Sequence, residues 1–223
     1  MNEHVCTTKI ALLGTMNVSV IDVAQAAWTS TAAGEDRSYE DALRVSKFMA
    51  REGHWTPFAQ SFLQFHFHVP IFVARQMMRH NIGIVWNEES RRYVKSEPKI
   101  NVPLCNEFRS KSETLKQGSG GELPFALSVA AETLLCKHSD DSIKVYNGLL
   151  DLGLCPEQAR MALPLNTMTN IVGSFNLWSL FNFYKKRIHK TAQVEIQKVA
   201  QRIDELVSPI SDAWVVLKEN RNG

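Results

Sequence analysis

A CysxxCys pair, a long apolar run, a one-sided charge and the charged-then-apolar pattern of a signal peptide are all missing from this sequence. Four cysteines stand among 223 residues, at Cys6, Cys105, Cys136 and Cys155, with no CysxxCys pair, so reduced thiols are the simplest account. No apolar run approaches the roughly 20 residues of a membrane helix, and the first residues lack a charged-then-apolar signal pattern. The expectation is a soluble, cytoplasmic protein with no membrane partner. A net charge of +2 is too small for a general nucleic-acid binder, so cationic character must be local. The glycines of residues 117–122 lack the following Lys-Ser/Thr of a phosphate loop and read as slack in a flexible loop. His66 and His68 share a strand face without a third ligand fixed by spacing, so no metal is expected. No internal repeat is visible, and the length suffices for one sizeable core.

What is present is concentrated between Arg75 and Tyr93. This stretch holds four arginines, a histidine, two glutamates, a serine and a tyrosine. These groups grip phosphate and hydrogen-bond a flat polar ring, which points to a nucleotide. Alternation over Phe62 to Val69 predicts a half-buried strand with Phe65, Phe67 and Val69 on one side and Gln64, His66 and His68 on the other. Pro70 ends that strand and suits a helix start, so Ile71 to His80 reads as a short helix with Gln76, Arg79 and His80 on one face. Gly83 then releases the chain into a loop carrying Asn87, Glu88, Ser90, Arg91, Arg92 and Tyr93.

Elsewhere, Lys9 to Leu13 reads as a strand and Val20 to Ala27 as a helix. A further helix is capped by Ser38, with Asp41 at its third position. Residues 100–112 look irregular. Phe125 to Lys137 and Ser142 to Leu152 read as two helices, and Gly153 with Pro156 marks a stop and restart. A last long helix is expected to begin between Thr169 and Asn176 and to run past Leu206. Its polar side would carry Asn176, Ser179, Asn182, Lys186, Arg187 and Lys190.

The signature around Arg79, His80, Asn87, Glu88, Ser90, Arg92 and Tyr93 resembles that of the flavin-dependent thymidylate synthase family. There an Arg-His-Arg is followed, after seven residues, by a serine within Asn-Glu-x-Ser-x-Arg-Tyr. Here the third residue is Asn81, and eight residues separate it from Ser90. Residues 53–58, 70–76, 159–166 and 179–193 are also similar to family segments, in the same order. The resemblance implies an α+β fold, a central, largely antiparallel sheet flanked by helices, with residues 1–223 forming a single catalytic domain. It also implies a homotetramer whose active sites are shared between subunits.

The activity so implied is reductive methylation of deoxyuridylate (dUMP) to thymidylate. FAD is the cofactor, methylenetetrahydrofolate donates the carbon, and NADPH is the reductant. Making C5 of the uracil nucleophilic requires polarising the ring, and none of the cysteines sits in a motif that activates a thiolate for the alternative covalent route. Matched residue by residue, Gln76, Arg79, Glu88, Ser90, Arg92, Arg160 and Arg187 would bind the substrate. Arg187 and Ser90 are the catalytic candidates: Arg187 to polarise the uracil, Ser90 with Arg92 to hold the phosphate. His54, Thr56, Arg79, His80, Asn87, Glu88, Asn176 and Asn182 would contact the flavin.

Departures fall mostly on the flavin side. Asn81 and Trp178 stand where the family has arginine, and Thr191 where it has histidine. Each lost charged contact would cost about 1.5–3 kcal/mol, roughly tenfold to a hundredfold in binding. Lys185, Lys186, His189 or Lys190 are candidate compensations, and Trp178 is a candidate for ring stacking. Two other readings stay open: folate-dependent hydroxymethylation of a deoxypyrimidine nucleotide on the same fold, and a non-catalytic module that binds nucleotides or nucleic acid.

Overall fold

The structure, a computed structural model, describes residues 7–31, 37–94, 96–113 and 118–221. In chain order its strands and helices are β1 (Lys9–Met16), α1 (Val20–Trp28), α2 (Tyr39–Glu52), β2 (Phe62–Pro70), α3 (Ile71–Met77), β3 (Ile84–Glu88), β4 (Arg109–Lys111), β5 (Ser119–Glu122), α4 (Phe125–Asp151), α5 (Pro156–Ala159), β6 (Met168–Phe175), α6 (Leu177–Arg187), α7 (Val194–Val207) and α8 (Asp212–Asn220). Four strands pair antiparallel in the order β1-β2-β6-β3, and β4 and β5 form a separate hairpin. The α+β architecture with a central antiparallel sheet is as expected.

β2 shows why the sheet forms. Leu63, Phe65, Phe67 and Val69 are fully buried, while Gln64, His66 and His68 on the opposite face are half-buried. The buried side joins Ile171 and Phe175 of β6 in one core with Val20 and Val23 of α1, Leu180 and Phe183 of α6, Val199 and Ile203 of α7 and Trp214 of α8. Fully burying a side chain of this size stabilises the fold by about 1.5–3 kcal/mol, so the aromatic layer Phe65, Phe67, Trp86, Phe175 and Phe183 is a dominant contribution. Gly173, paired with Trp86 across β6 and β3, must be glycine: a Cβ there would lie 2.5 Å from the indole Cζ3. The expected cap at Ser38 is present as a reciprocal box with Asp41.

Four expectations are corrected. The chain from Met168 to Phe175 is a strand, and three separate helices follow it in place of one long helix. Its period-two burial and its β-branched Thr169, Ile171 and Val172 favour a strand. Asn87 and Glu88 lie on β3, a strand, where a loop was expected. Phe125–Asp151 is one continuous helix; residues 138–141 contain no glycine or proline to break it. Residues 119–122 are the strand β5, paired with Arg109–Lys111, so neither stretch is irregular throughout. Cys6 and Gln117 lie outside the described residues. Among the described residues no helix is long and apolar enough to cross a membrane, and no group of three or more His, Cys, Asp or Glu could hold a metal ion.

Candidate active site

The site is built where the short helix α3 ends beside the C-terminal turn of α6. Pro70 starts α3, and the Ile71 and Phe72 amides donate to the Thr167 and Leu165 carbonyls at 2.9 and 3.0 Å, which fixes the helix against the start of β6. Met77 points into the core, leaving Gln76 and His80 half-buried and Arg79 exposed. The turn after α3 is pinned because the Trp86 indole N–H donates to the His80 carbonyl at 2.8 Å. On the other side, Asn176 caps α6 by accepting from the Ser179 amide at 2.8 Å, and the Ser179 hydroxyl donates to the Gly83 carbonyl at 2.9 Å. These contacts set the height of α6 against the signature turn.

At the far end of α6, Arg187 reaches the turn. Its Nε–H donates to His80 Nε2 at 2.9 Å and its Nη2–H to the Gln76 carbonyl at 2.7 Å. That carbonyl is one of the groups left unpaired at a helix end, so the guanidinium satisfies it. The His80 ring stands edge-on to Phe183, with centroids 5.0 Å apart. Burial, then the nearby positive charges of Arg187 and Lys186, push the His80 pKa down to about 4. The ring is therefore neutral at physiological pH and, accepting at Nε2, carries its proton on Nδ1. Burial and the neighbouring Arg79 lower the Arg187 pKa from its usual value, but a guanidinium keeps its charge.

The remaining expected residues make contacts of their own. The Gln76 side chain donates to Gln193 at 2.5 Å. Glu88 Oε1 accepts from the Thr169 hydroxyl at 2.9 Å. Strand alternation turns Asn87 to the opposite face from Glu88, so one face cannot present both. Ser90 opens a turn in which the Tyr93 amide donates to the Ser90 carbonyl at 3.0 Å and the Arg92 amide to the Ser90 hydroxyl at 3.4 Å. Arg92 is exposed and donates to the Tyr93 hydroxyl at 2.6 Å. Arg160 is exposed after α5 and donates to the Glu157 carbonyl at 3.2 Å. His54 and Thr56 are exposed in the segment after α2. Asn182 lies half-buried on α6.

Thus one chain brings Gln76, His80 and Arg187 into contact, with Arg79 alongside. Arg92 and Arg160 make their bonds elsewhere. A cavity of about 720 Å³ is lined by none of them but by Lys9, Val102, Glu107, Lys198 and Arg202 among others. Two expectations on α6 change. Ser179 is buried as part of the cap, not on an open polar side, and Lys190 lies beyond the end of the helix. Trp178 packs near Phe58, and the Arg221 guanidinium sits 3.9 Å above its ring, so one stacking face is already covered. Gln193, Thr169 and Trp86 were missed as site supports. Only Gln193 carried a signal, lying at the end of the matched segment 179–193. The Cys105 thiol donates to the Glu132 carboxylate, and this bond together with burial pushes its pKa up, the reverse of an activated thiolate.

The exposed cations Arg79 and Lys186, with the neutral His80 ring and Arg187, offer charge, donors and a flat surface within one region. That set fits an anionic planar group such as a flavin nucleotide.

The architecture matches the crystal structure of a UMP/dUMP methylase PolB from Streptomyces cacaoi bound with 5-Br dUMP, with a TM-score of 0.87, 24% identity and 97% of each chain covered. Among curated proteins, a flavin-dependent thymidylate synthase of Thermus thermophilus is 36% identical over 199 residues, covering 89% of this chain and 71% of the relative. Another, from Dictyostelium discoideum, is 33% identical over 210 residues, covering 91% and 68%. Residues 11–211 match the family described as thymidylate synthase complementing protein, and the chain belongs to that family.

Proposed function

We propose that this protein is a flavin-dependent thymidylate synthase that methylates deoxyuridylate reductively, using FAD, NADPH and methylenetetrahydrofolate, as one catalytic domain in the cytoplasm. One observation carries this reading: Arg187 is bonded to His80 and Gln76 across more than 100 residues of sequence, which joins two family segments into one centre.

In this reading Arg187 meets a carbonyl oxygen of the uracil and favours the negative charge that develops there as C5 becomes nucleophilic. Ser90 and Arg92 hold the phosphate, with Arg160 as a further cation, and Gln76, Arg79 and Glu88 complete the substrate contacts. Arg79, His80, Asn87, Glu88, Asn176, Asn182, His54 and Thr56 are the flavin-side residues. When bound, the reduced flavin supplies the hydride.

Ser90, Arg92 and Arg160 make no hydrogen bond with Arg187 within one chain, their partners being other groups, and this supports assembly of complete sites between subunits of a homotetramer. α4 supports the same assembly: Phe125, Leu127, Leu134 and Val145 are all more than half exposed along it, more apolar surface than a lone helix face usually leaves to water. Near-neutral net charge and a local cationic cluster favour a mononucleotide over a nucleic acid.

The test is an absorbance spectrum of freshly purified protein, titrated with deoxyuridylate, followed by assay with the folate and NADPH. A flavin spectrum perturbed saturably by deoxyuridylate, with thymidylate formed, is expected. Colourless protein that transfers the folate carbon would replace methylation by hydroxymethylation. Binding of nucleic acid that weakens steeply with salt, with no mononucleotide affinity, would remove the enzyme reading.

A further inference from the structure

Arg187 does not hang free beside the signature turn. A guanidinium has a side edge, formed by Nε–H and one Nη–H, and a terminal edge, formed by the two Nη groups. The side edge is consumed: Nε–H goes to His80 Nε2 at 2.9 Å and Nη2–H to the Gln76 carbonyl at 2.7 Å. The acceptor on His80 is itself fixed. Its backbone carbonyl is held by Trp86 at 2.8 Å and its ring by Phe183 at 5.0 Å.

We propose that His80 is the positioning residue for Arg187, presenting its imidazole nitrogen as a fixed acceptor so that only the terminal guanidinium edge is offered to the substrate's pyrimidine ring. The proposal rests on the deoxyuridylate reading above and assigns His80 a role toward the substrate side, through Arg187, beyond its expected flavin contact. A protonated imidazole could not accept this bond, and burial, together with the flanking cations Arg187 and Lys186, holds the ring neutral. A lysine at 187 could not replace the arrangement, because a point charge lacks the two parallel donors and the opposing free edge.

The experiment compares the full-length wild type with His80→Phe, His80→Gln, Arg187→Ala and the double variant His80→Phe/Arg187→Ala. Deoxyuridylate affinity is read by calorimetry, bound FAD by absorbance, and turnover by kcat and KM separately. Phenylalanine keeps the ring against Phe183 and removes the acceptor; glutamine restores an acceptor near the Nε2 position. Losing one charge-assisted bond corresponds to roughly a tenfold to hundredfold effect. The expected result is that His80→Phe falls at least tenfold in kcat/KM, that the double variant is no worse than Arg187→Ala, and that His80→Gln recovers most of the loss. Multiplicative losses in the double variant, or FAD loss with deoxyuridylate affinity unchanged, would overturn the proposal. A second readout needs no catalysis: nitrogen-15 NMR of the wild-type imidazole should show the Nδ1–H form at neutral pH, changing in Arg187→Ala. An Nε2–H form in the wild type would refute the positioning role even if the protein proves not to be a thymidylate synthase, whereas absent deoxyuridylate binding in a protein showing Nδ1–H would count against the proposed function alone.

Discussion

Arg187 and His80 form a hydrogen-bonded pair in which the guanidinium, after burial, helps to hold the imidazole neutral. The expected consequence of Arg187→Ala is loss of turnover by at least about a hundredfold if the uracil contact is a transition-state one. Its stability cost should be limited to about 1–3 kcal/mol from the lost charged hydrogen bonds. Steady-state kinetics with urea unfolding separates the two effects, and near-normal turnover would remove Arg187 from the chemistry. His80 also sets a pH dependence. Its folded pKa of about 4 lies below the ordinary 6.5, so between these values the unfolded chain binds more protons. Stability from this group is present above about pH 6.5 and lost as pH falls toward 4, as the imidazole buried beside Arg187 and Lys186 is forced to charge. Urea unfolding at pH 5 and pH 7 should show a smaller difference in His80→Gln than in the wild type. An unchanged difference would mean the ring is not held neutral.

Two elements carry the site to its place, β6 with β3 and the capped helix α6. Gly173→Ala would drive a methyl group into Trp86, whose indole holds the His80 carbonyl. Overpacking of this kind costs about 1–3 kcal/mol. A lowered melting temperature with altered tryptophan fluorescence and reduced activity is expected, and a variant like the wild type in all three would contradict the packing argument. Asn176→Ala removes the α6 cap and should cost about 1 kcal/mol in chemical denaturation. Some elements were legible in sequence because their signals are local: the alternation of β2, the Ser38 cap with Asp41, and the Pro70 start of α3. β6 was misread because its polar Asn170 and Ser174 and its Gly173 join smoothly onto the helix that follows. β3 was hidden because Asn87 and Glu88 are poor strand formers, paired only through β6. The Arg187 to His80 bond is not written in any local pattern; it exists because two turns distant in sequence meet in the fold. Family likeness brought both residues into the site, but with separate roles.

At the scale of the whole molecule, Arg92, Arg160 and Arg187 each bond to different partners within one chain. Arg160 follows α5, which packs against α4, and α4 itself carries exposed apolar side chains at Phe125, Leu127, Leu134 and Val145. Leu134→Glu, at a position 70% exposed, should leave the chain folded but shift its mass in light scattering from the proposed tetramer toward smaller species, with activity lost in step. An unchanged mass would place the contact elsewhere. If sites are shared, mixing refolded Arg160→Ala and Arg187→Ala chains should restore activity above that of either variant alone. No recovery would argue that each chain completes its own site.

The most direct measurement is a crystal structure of the assembled protein with deoxyuridylate and FAD. The terminal edge of Arg187 should lie about 3 Å from a uracil oxygen, at hydrogen-bond distance. Ser90, Arg92 and Arg160, from whichever subunits supply them, should surround the phosphate of the same nucleotide, with the flavin ring against its base. A nucleotide bound away from Arg187, or these cations distributed over separate sites, would contradict the account.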